Sequence, residues 1–453
     1  MSQGTRTADT RNRRPDEVRH EQRGWYFYDW ANSAFSTTVV AVLFQPLLIA
    51  AAENAAVDDR ISVFGISVAP GALPAFTITA STIISAVLLP LLGAVADRTA
   101  RKKDLLAGFA WTGAAATALL FFLTDDNWQL GVAAFMVANL CFGAAAVFND
   151  ALLCLISDEE ERDRVSSTGW AYGYAGGGLL LAANFLLITF HESVGLSYAM
   201  AGRISILSAA IWWAGFTFIP FRRIRNRPPT HVVEDGHGLI GDSFGQLWAT
   251  LKDLRKFPMA LLFLVAYLFF NDGIQTVIAS STVYGTEELG FEVSTMMAIF
   301  LVVQFVAVGG ALAFGRAANR FGAKHTILVG LAIWAVIVTA ALVVPEQEFL
   351  PFLVMAIAIG LVLGGTQALA RSYFSLMIPN GREAEFFSFY HAMERGTSWF
   401  GTLVFGIVYQ MTGSYRPAIF ALVAFFIVGG ALLLKVDTKR GIREAGNDVP
   451  SVV

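Results

Sequence analysis

The sequence predicts an all-α membrane protein: twelve transmembrane helices in two six-helix bundles, with both termini cytoplasmic. Three observations carry this expectation. The 453-residue chain is 55% hydrophobic and only 15% charged, whereas soluble chains are about 25% charged. It contains twelve apolar runs, each near the roughly 20 residues that span a bilayer core. Of its 32 Lys and Arg residues, 28 fall in segments that would share one side of the membrane, the positive-inside bias.

Residues 1–24 form a polar, arginine-rich N-terminal arm. The apolar run behind it is about twice the length of a signal-peptide core and contains Asp29 and Asn32, so the arm is expected to stay on the chain. Runs at 25–52, 72–96, 105–123, 129–154, 166–190 and 201–220 make the first bundle, residues 25–220. A charged connection at 221–258 follows. In it FRRIRNRPPTHVVEDGHG gives way to SFGQLWATLKDLRKF, which reads as an amphipathic helix on the membrane surface. Its basic cluster reads as positive-inside anchoring. Runs at 259–283, 293–315, 325–344, 350–376, 386–410 and 416–435 make the second bundle, 259–436, and 437–453 is a cytoplasmic tail.

Polarity inside the runs has a period of three. The interiors of helices three, six, nine and twelve carry no ionisable group, whereas helices one, four, seven, ten and eleven do. Ionisable groups facing lipid cost several kcal/mol, so these must face one another or water. Spacing agrees: Asp29, Asn32, Ser33 and Ser36 share one helix face, as do Asn139, Gly143, Ala146 and Asp150, and Gly360, Gly364, Gln367 and Arg371. Asn271, Asp272, Gln275 and Thr276 lie on one side of helix seven. At about 1.5 Å per residue, Asp272 is near mid-membrane. The substrate or proton-site candidates are therefore Asp29, Asn32, Ser36, Asn271, Asp272, Gln275 and Gln367. Asp150, Arg371, Glu394 and Arg395 are candidates for a cytoplasmic gate between the bundles, which Asp29, near the cytoplasmic end of its helix, joins as an alternative to contacting solute, with Arg371 as its counter-charge.

The second run ends GAVADRTARKK and the eighth GRAANRFGAKH, matching strings six helices apart. Gly93 and Gly315 permit close helix approach. Asp97 can cap a neighbouring helix N-terminus, and Arg98, Arg101 and Arg320 can pair with acids; Asn319 stands where the second copy would need an acid. These strings resemble the loop signature of the major facilitator superfamily, over essentially the whole chain. YDWANSAF, YLFFNDGIQT, GGTQALARSYFSLMIP and EAEFFSFYHAMERGTSWFG resemble its vacuolar amino-acid effluxer-like, autophagy-related branch. The resemblance implies secondary transport by alternating access and suggests an exported amino acid, with Asp29, Asn32, Asp272, Gln275, Gln367 and Arg371 carried over as functional positions.

Other classes find little support. The chain has no GxxxxGK[ST] string and no ligand-spaced histidine cluster, so no enzyme activity, cofactor or metal is expected. Its net charge of −3 gives no attraction to nucleic acid. Cys141 and Cys154 read as free thiols, and YGYAGGG at 172–178 as a close helix-packing surface, not a nucleotide loop. The expected partners are the lipid bilayer of the cytoplasmic membrane, a small solute and, as a hypothesis, protons; the chain is expected to act as a monomer. The alternatives are a uniporter, a carrier of a sugar, peptide or drug-like solute, and a sensor that moves nothing.

Overall fold

The first helix begins at Pro15, ahead of the apolar run at Trp25, because Pro15 at its first position and Asp16 and Glu17 in its first turn start it well. This is seen in a computed structural model that describes residues 14–63, 65–228 and 254–453. Helix α1 runs over Pro15–Asn54, 40 residues, with a π-helical stretch at Phe35–Leu43. There the Ser36 and Thr37 hydroxyls both donate to the Ser33 carbonyl, competing with the main-chain ladder. A short hairpin, β1 (Ile61–Val63) with β2 (Ile66–Val68), precedes α2 (Leu73–Asp97). Then come α3 (Lys102–Leu119), α4 (Trp128–Ile156), α5 (Arg162–Thr189) and α6 (Tyr198–Arg223). The amphipathic helix expected between 243 and 257 falls mainly outside the described residues.

The chain resumes with α7 (Pro258–Val283), α8 (Val293–Phe321), α9 (Ala323–Ala340), α10 (Phe349–Leu376) and α11 (Glu383–Thr412). Helix α12 covers Tyr415–Lys435 with a break at Leu422, and a short α13 (Thr438–Glu444) lies in what reads from sequence as a plain tail. Among the described residues, eleven helices, α1–α10 and α12, are long and apolar enough to cross a membrane. Helix α11 is 30 residues long and carries the charged segment that ends at Arg395. The bare helices α3, α6, α9 and α12 are peripheral and show apolar side chains outward, such as Ile211 (65% exposed) and Val336 (67%). Cys141 and Cys154 are buried free thiols.

Contacts between the first six helices and the last six run along α2 with α11 and α5 with α8, and also join α5 to α10 and α4 to α11. One end of the molecule carries the start of α1 and the C-terminal segment: Arg225 and Arg227 pair with Glu17 and Glu21, and the Asn447 side-chain amide donates to the carbonyls of Leu376 and Ile378, both at 2.8 Å. We call this the terminal end. The cross-seam hydrogen bonds cluster in its half of the molecule. Toward the far end, the same seam helices carry exposed Phe76 (59%) on α2 and Met411 (80%) on α11.

Two glycine surfaces bring the helices together. On α5, a Cβ at Gly173 would lie 2.8 Å from Ser33 Oγ, and one at Gly176 would lie 2.7 Å from the Trp30 carbonyl oxygen. Gly173, Gly176 and Gly177 of the 172–178 run therefore form the face against which α1 packs, while Gly178 meets Gln304 and Phe305 of α8. On α10, Gly360 meets the Val303 carbonyl and Gly364 the Ala307 carbonyl of α8. Gly176→Ala forces a methyl against main chain and should destabilise the protein by about 1–3 kcal/mol, the usual cost of overpacking. Gly215→Ala, where nothing lies within 4 Å of the added carbon, should leave the melting temperature unchanged or raised. Thermal melts of the two purified variants check the contrast; equal melting points would refute it.

Candidate functional site

A cation inside a membrane-spanning helix must find its counter-charges on neighbouring helices. Arg371, on the Gly360–Gly364–Gln367 face of α10, is 4% exposed. Its Nη1 donates to Asp150 Oδ1 on α4 at 3.0 Å and its Nη2 to Asp29 Oδ2 on α1 at 3.2 Å. Its Nε donates to Ser166 Oγ at 2.9 Å and Nη2 to the Ser166 carbonyl at 3.0 Å. Trp25 and Trp170 cover the guanidinium at 4.7 and 5.5 Å from their ring centroids. Asp29 is fixed in turn by Asn149 Nδ2 at 3.1 Å, and Trp25 Nε1 donates to the Asn149 carbonyl at 2.7 Å.

The chain of polar contacts continues through α11. His391 Nε2 lies 2.9 Å from Asp150 Oδ2 and its Nδ1 lies 3.0 Å from Glu394 Oε2. Gln275 Nε2 on α7 approaches Glu394 Oε1 at 3.5 Å. One turn beyond His391, Arg395 Nη1 donates to Asn139 Oδ1 at 3.2 Å, and Asn139 donates to Ser81 Oγ at 2.8 Å. The Arg395 guanidinium also stands 5.6 Å from the Phe142 ring centroid and packs on Gly143. The face Asn139–Gly143–Asp150 thus looks across the seam. Tyr174 OH donates to Gln367 Oε1 at 3.2 Å on the α5–α10 side.

The terminal end has a second layer. Asp97 accepts from the main-chain N–H groups of Ala384 (3.1 Å) and Glu385 (2.8 Å), capping the start of α11. Lys102 joins Asp97 (2.5 Å) to Glu383 (3.0 Å), so Lys102 supplies the cation that the loop string led us to assign to Arg98 or Arg101. Gly93 packs on Ser388 and the Ala384 carbonyl. The second copy works differently. Gly315 packs on Ser167, but the bonds there are neutral or one-sided: Ser372 Oγ to Asp163 at 2.6 Å and Arg162 Nη1 to the Ser375 carbonyl at 3.2 Å. Asn319 and Arg320 are exposed, and Arg320 leans on Phe321. Ser451 closes the layer, its N–H and Oγ donating to Glu160 at 2.7 and 2.9 Å.

The structure separates some residues that share a helix face in the sequence. Asp29 sits in the Arg371 cluster beside Asp150, apart from Ser36. Asn32, Ser33 and Ser36 are half-buried. Asp272 and Asn271 are each 1% exposed, and Asp272 Oδ2 accepts from the Gly401 N–H at 2.8 Å, fastening α7 to α11. Gln275 turns to the other side, toward Glu394. Sequence reasoning did not assign His391 a place among the site residues, although Glu394 three residues later already marked a polar helix face; it gave no signal for Ser166, Lys102 or Ser81.

The family model described as "Vacuole effluxer Atg22 like" matches residues 17–446. The uncharacterized MFS-type transporter YxiO of Bacillus subtilis (strain 168) is 33% identical over 434 residues, covering 95% of this chain and 98% of that protein. Autophagy-related protein 22 of Coccidioides immitis (strain RS) is 24% identical over 536 residues, covering 94% and 88%. Among solved structures, the human organic anion transporter MFSD10 aligns with a TM-score of 0.66 at 13% identity, covering 93% of this chain and all of that one. FucP in its outward conformation aligns at 0.65 and 14% identity, covering 92% and 98%. These likenesses show the all-helical facilitator fold, and the sequence matches show the branch: the chain belongs to the Atg22-like family of major facilitator superfamily membrane transporters.

Proposed function

We propose that this chain is a secondary transporter with twelve spans, α11 being the twelfth, which moves a small zwitterionic solute, an amino acid, by alternating access. Both termini would be cytoplasmic, which makes the terminal end the inner face of the cytoplasmic membrane and the described arrangement closed inward. The positive-inside distribution supports this orientation.

The observation that carries the solute class is the Glu394–Arg395 pair. Arg395 lies about 18 Å along α11 from Glu383, at about 1.5 Å per residue, which is mid-membrane. It is only half-buried, and its hydrogen-bond partner is the neutral Asn139. A guanidinium at that depth that contacts Asn139, Phe142 and Gly143 across the seam faces the space between the two sets of helices, since facing lipid is costly. It offers a fork that fits a carboxylate. Glu394 beside it offers an acceptor for an ammonium group, and Asn32, Ser36, Gln275 and Gln367 supply neutral polar contacts. The buried Arg371 cluster serves as the inner gate: it draws Asp29 and Asp150 of the first six helices onto a cation of the last six.

Counterflow in proteoliposomes tests the transport reading. Vesicles loaded with unlabelled L-amino acids should accumulate label from an external mixture of radiolabelled L-amino acids, and absence of exchange with every one would end the amino-acid assignment. Arg395→Gln should weaken the half-saturation of that exchange about 10- to 100-fold, the worth of a charge-assisted hydrogen bond. Arg371→Ala leaves the buried Asp29 without its cation and Asp150 with His391 alone, at a cost of about 3–5 kcal/mol. It should therefore shift the population from inward-closed to inward-open. Cysteine cross-linking across the terminal end should fall and cross-linking across the far end should rise; an unchanged pattern would remove Arg371 from the gate.

A further inference from the structure

We propose that His391, between Asp150 and Glu394, is the binding site of a translocated proton, held while the terminal end is closed and released when it opens. The inference rests on the transport reading above and adds the residue that couples transport to a proton. It starts from hydrogen-bond counting. Both ring nitrogens of His391 face carboxylate oxygens, at 2.9 and 3.0 Å. Ionised carboxylates only accept, and a neutral imidazole has a single N–H to give. Satisfying both contacts therefore takes one more proton than a neutral ring with two carboxylates contains. The imidazolium ion, with two N–H donors, is the form that satisfies both at once.

The surroundings agree in charge. His391 contacts Asp150 from α4 and Tyr390 and Glu394 from α11 itself; one contact further out stand Arg371 of α10, which joins Asp150 to Asp29 of α1, Gln275 of α7 on Glu394, and Tyr267 of α7 stacked on Tyr390. Asp29, Asp150 and Glu394 bring three negative charges, and Arg371 brings one positive charge. An imidazolium at His391 brings a second, and Arg395 one turn away the third. Without the proton the cluster keeps a net negative charge inside the membrane-spanning region, which is costly. The two carboxylates that hold the proton also come from opposite sides of the seam. When the terminal end opens, Asp150 leaves with α4, His391 keeps Glu394 on its own helix, and the second acceptor is lost. The proton then goes from a ring nitrogen to water, with no other bond made or broken. Closure and protonation are therefore linked, each favouring the other by the same factor.

The experiment uses the full chain in nanodiscs, with Cys141 and Cys154 replaced by alanine and spin labels at Ala100 and Arg320, both exposed at the terminal end. Inter-label distances are measured across a pH series with no solute. The short-distance population should dominate at low pH. As pH rises, the closed-to-open ratio should fall by up to about tenfold per pH unit, the slope for one linked proton. His391→Gln should flatten the response, whereas Asp272→Asn should retain it. A pH-independent wild-type ratio, a slope surviving in His391→Gln, or a slope lost in Asp272→Asn instead would each overturn the assignment. Histidine-selective 15N spectra of the wild-type protein, assigned by loss of one signal in His391→Gln, give a second reading independent of that variant's gating. A doubly protonated ring at His391 in the closed state is expected, and a single neutral tautomer there would refute it. Counterflow of amino acids with no pH slope would sink the proton site alone, and a pH slope without counterflow would sink the amino-acid assignment alone.

Discussion

The arrangement depends on one constraint: a guanidinium that cannot reach water must be neutralised by groups brought to it. Arg371 reaches neither end of its helix, and the two carboxylates that balance it belong to α1 and α4, across the seam. They are within reach only because α5 packs closely on α1 through Gly169, Gly173 and Gly176, and because α10 lies against α5 through the Ser166–Ala368 bond of 2.7 Å. Desolvated charge pairs contribute little net stability, yet losing one partner is expensive. Such a cluster therefore has two tolerable conditions, fully assembled and dry or fully separated and wet, and few in between. That is the energetic shape an alternating-access gate needs.

The two loop strings perform unequal work around that gate. On the α2–α11 side a carboxylate caps a helix start and a lysine bridges two acids. On the α5–α8 side Asn319 removes the charge, and Ser372 with Asp163 and Arg162 with a main-chain carbonyl take over. One side of the seam is held by buried charge, which salt screens little, while the other is held mainly by short polar contacts. The tail adds a clasp, since Ser451 reaches Glu160 after the chain has already crossed Leu376 and Ile378. Opening the terminal end must undo this clasp together with the cluster.

Helix α11 joins the Arg371 cluster to Arg395 and Asn139. His391, Glu394 and Arg395 lie within about one turn, so one helix carries a contact to Asp150, a carboxylate shared with Gln275 and a cation on Asn139 at fixed spacing. Glu394 faces both ways: toward His391 at 3.0 Å and toward Gln275 on α7. On the proposed reading, a positively charged group drawn to Glu394 would compete directly with His391, a route from solute binding to the Arg371 cluster that needs no movement relayed through the fold.

The sequence by itself determined the class, the helices and which faces are polar. Those properties are local: hydropathy over about 20 residues fixes a span, and a period of 3.6 residues fixes a face. The face Asn139–Gly143–Asp150, the packing role of the glycine run and the peripheral place of the bare helices were legible for this reason. Which polar faces meet, and at what depth, was decided only by the tertiary structure. Asp29 and Ser36 share a face, yet Asp29 lies with Arg371, because α1 crosses α4 and α5 at that level. Asp272 and Gln275 sit three residues apart, yet one is sealed against Gly401 and the other turns to Glu394. Lys102 displaced the arginines as the partner of Asp97, and His391 became the link between two carboxylates, because pairing in a low-dielectric interior is set by distances of about 3 Å. Such distances arise from helix crossings between segments more than 200 residues apart, and no local pattern encodes them.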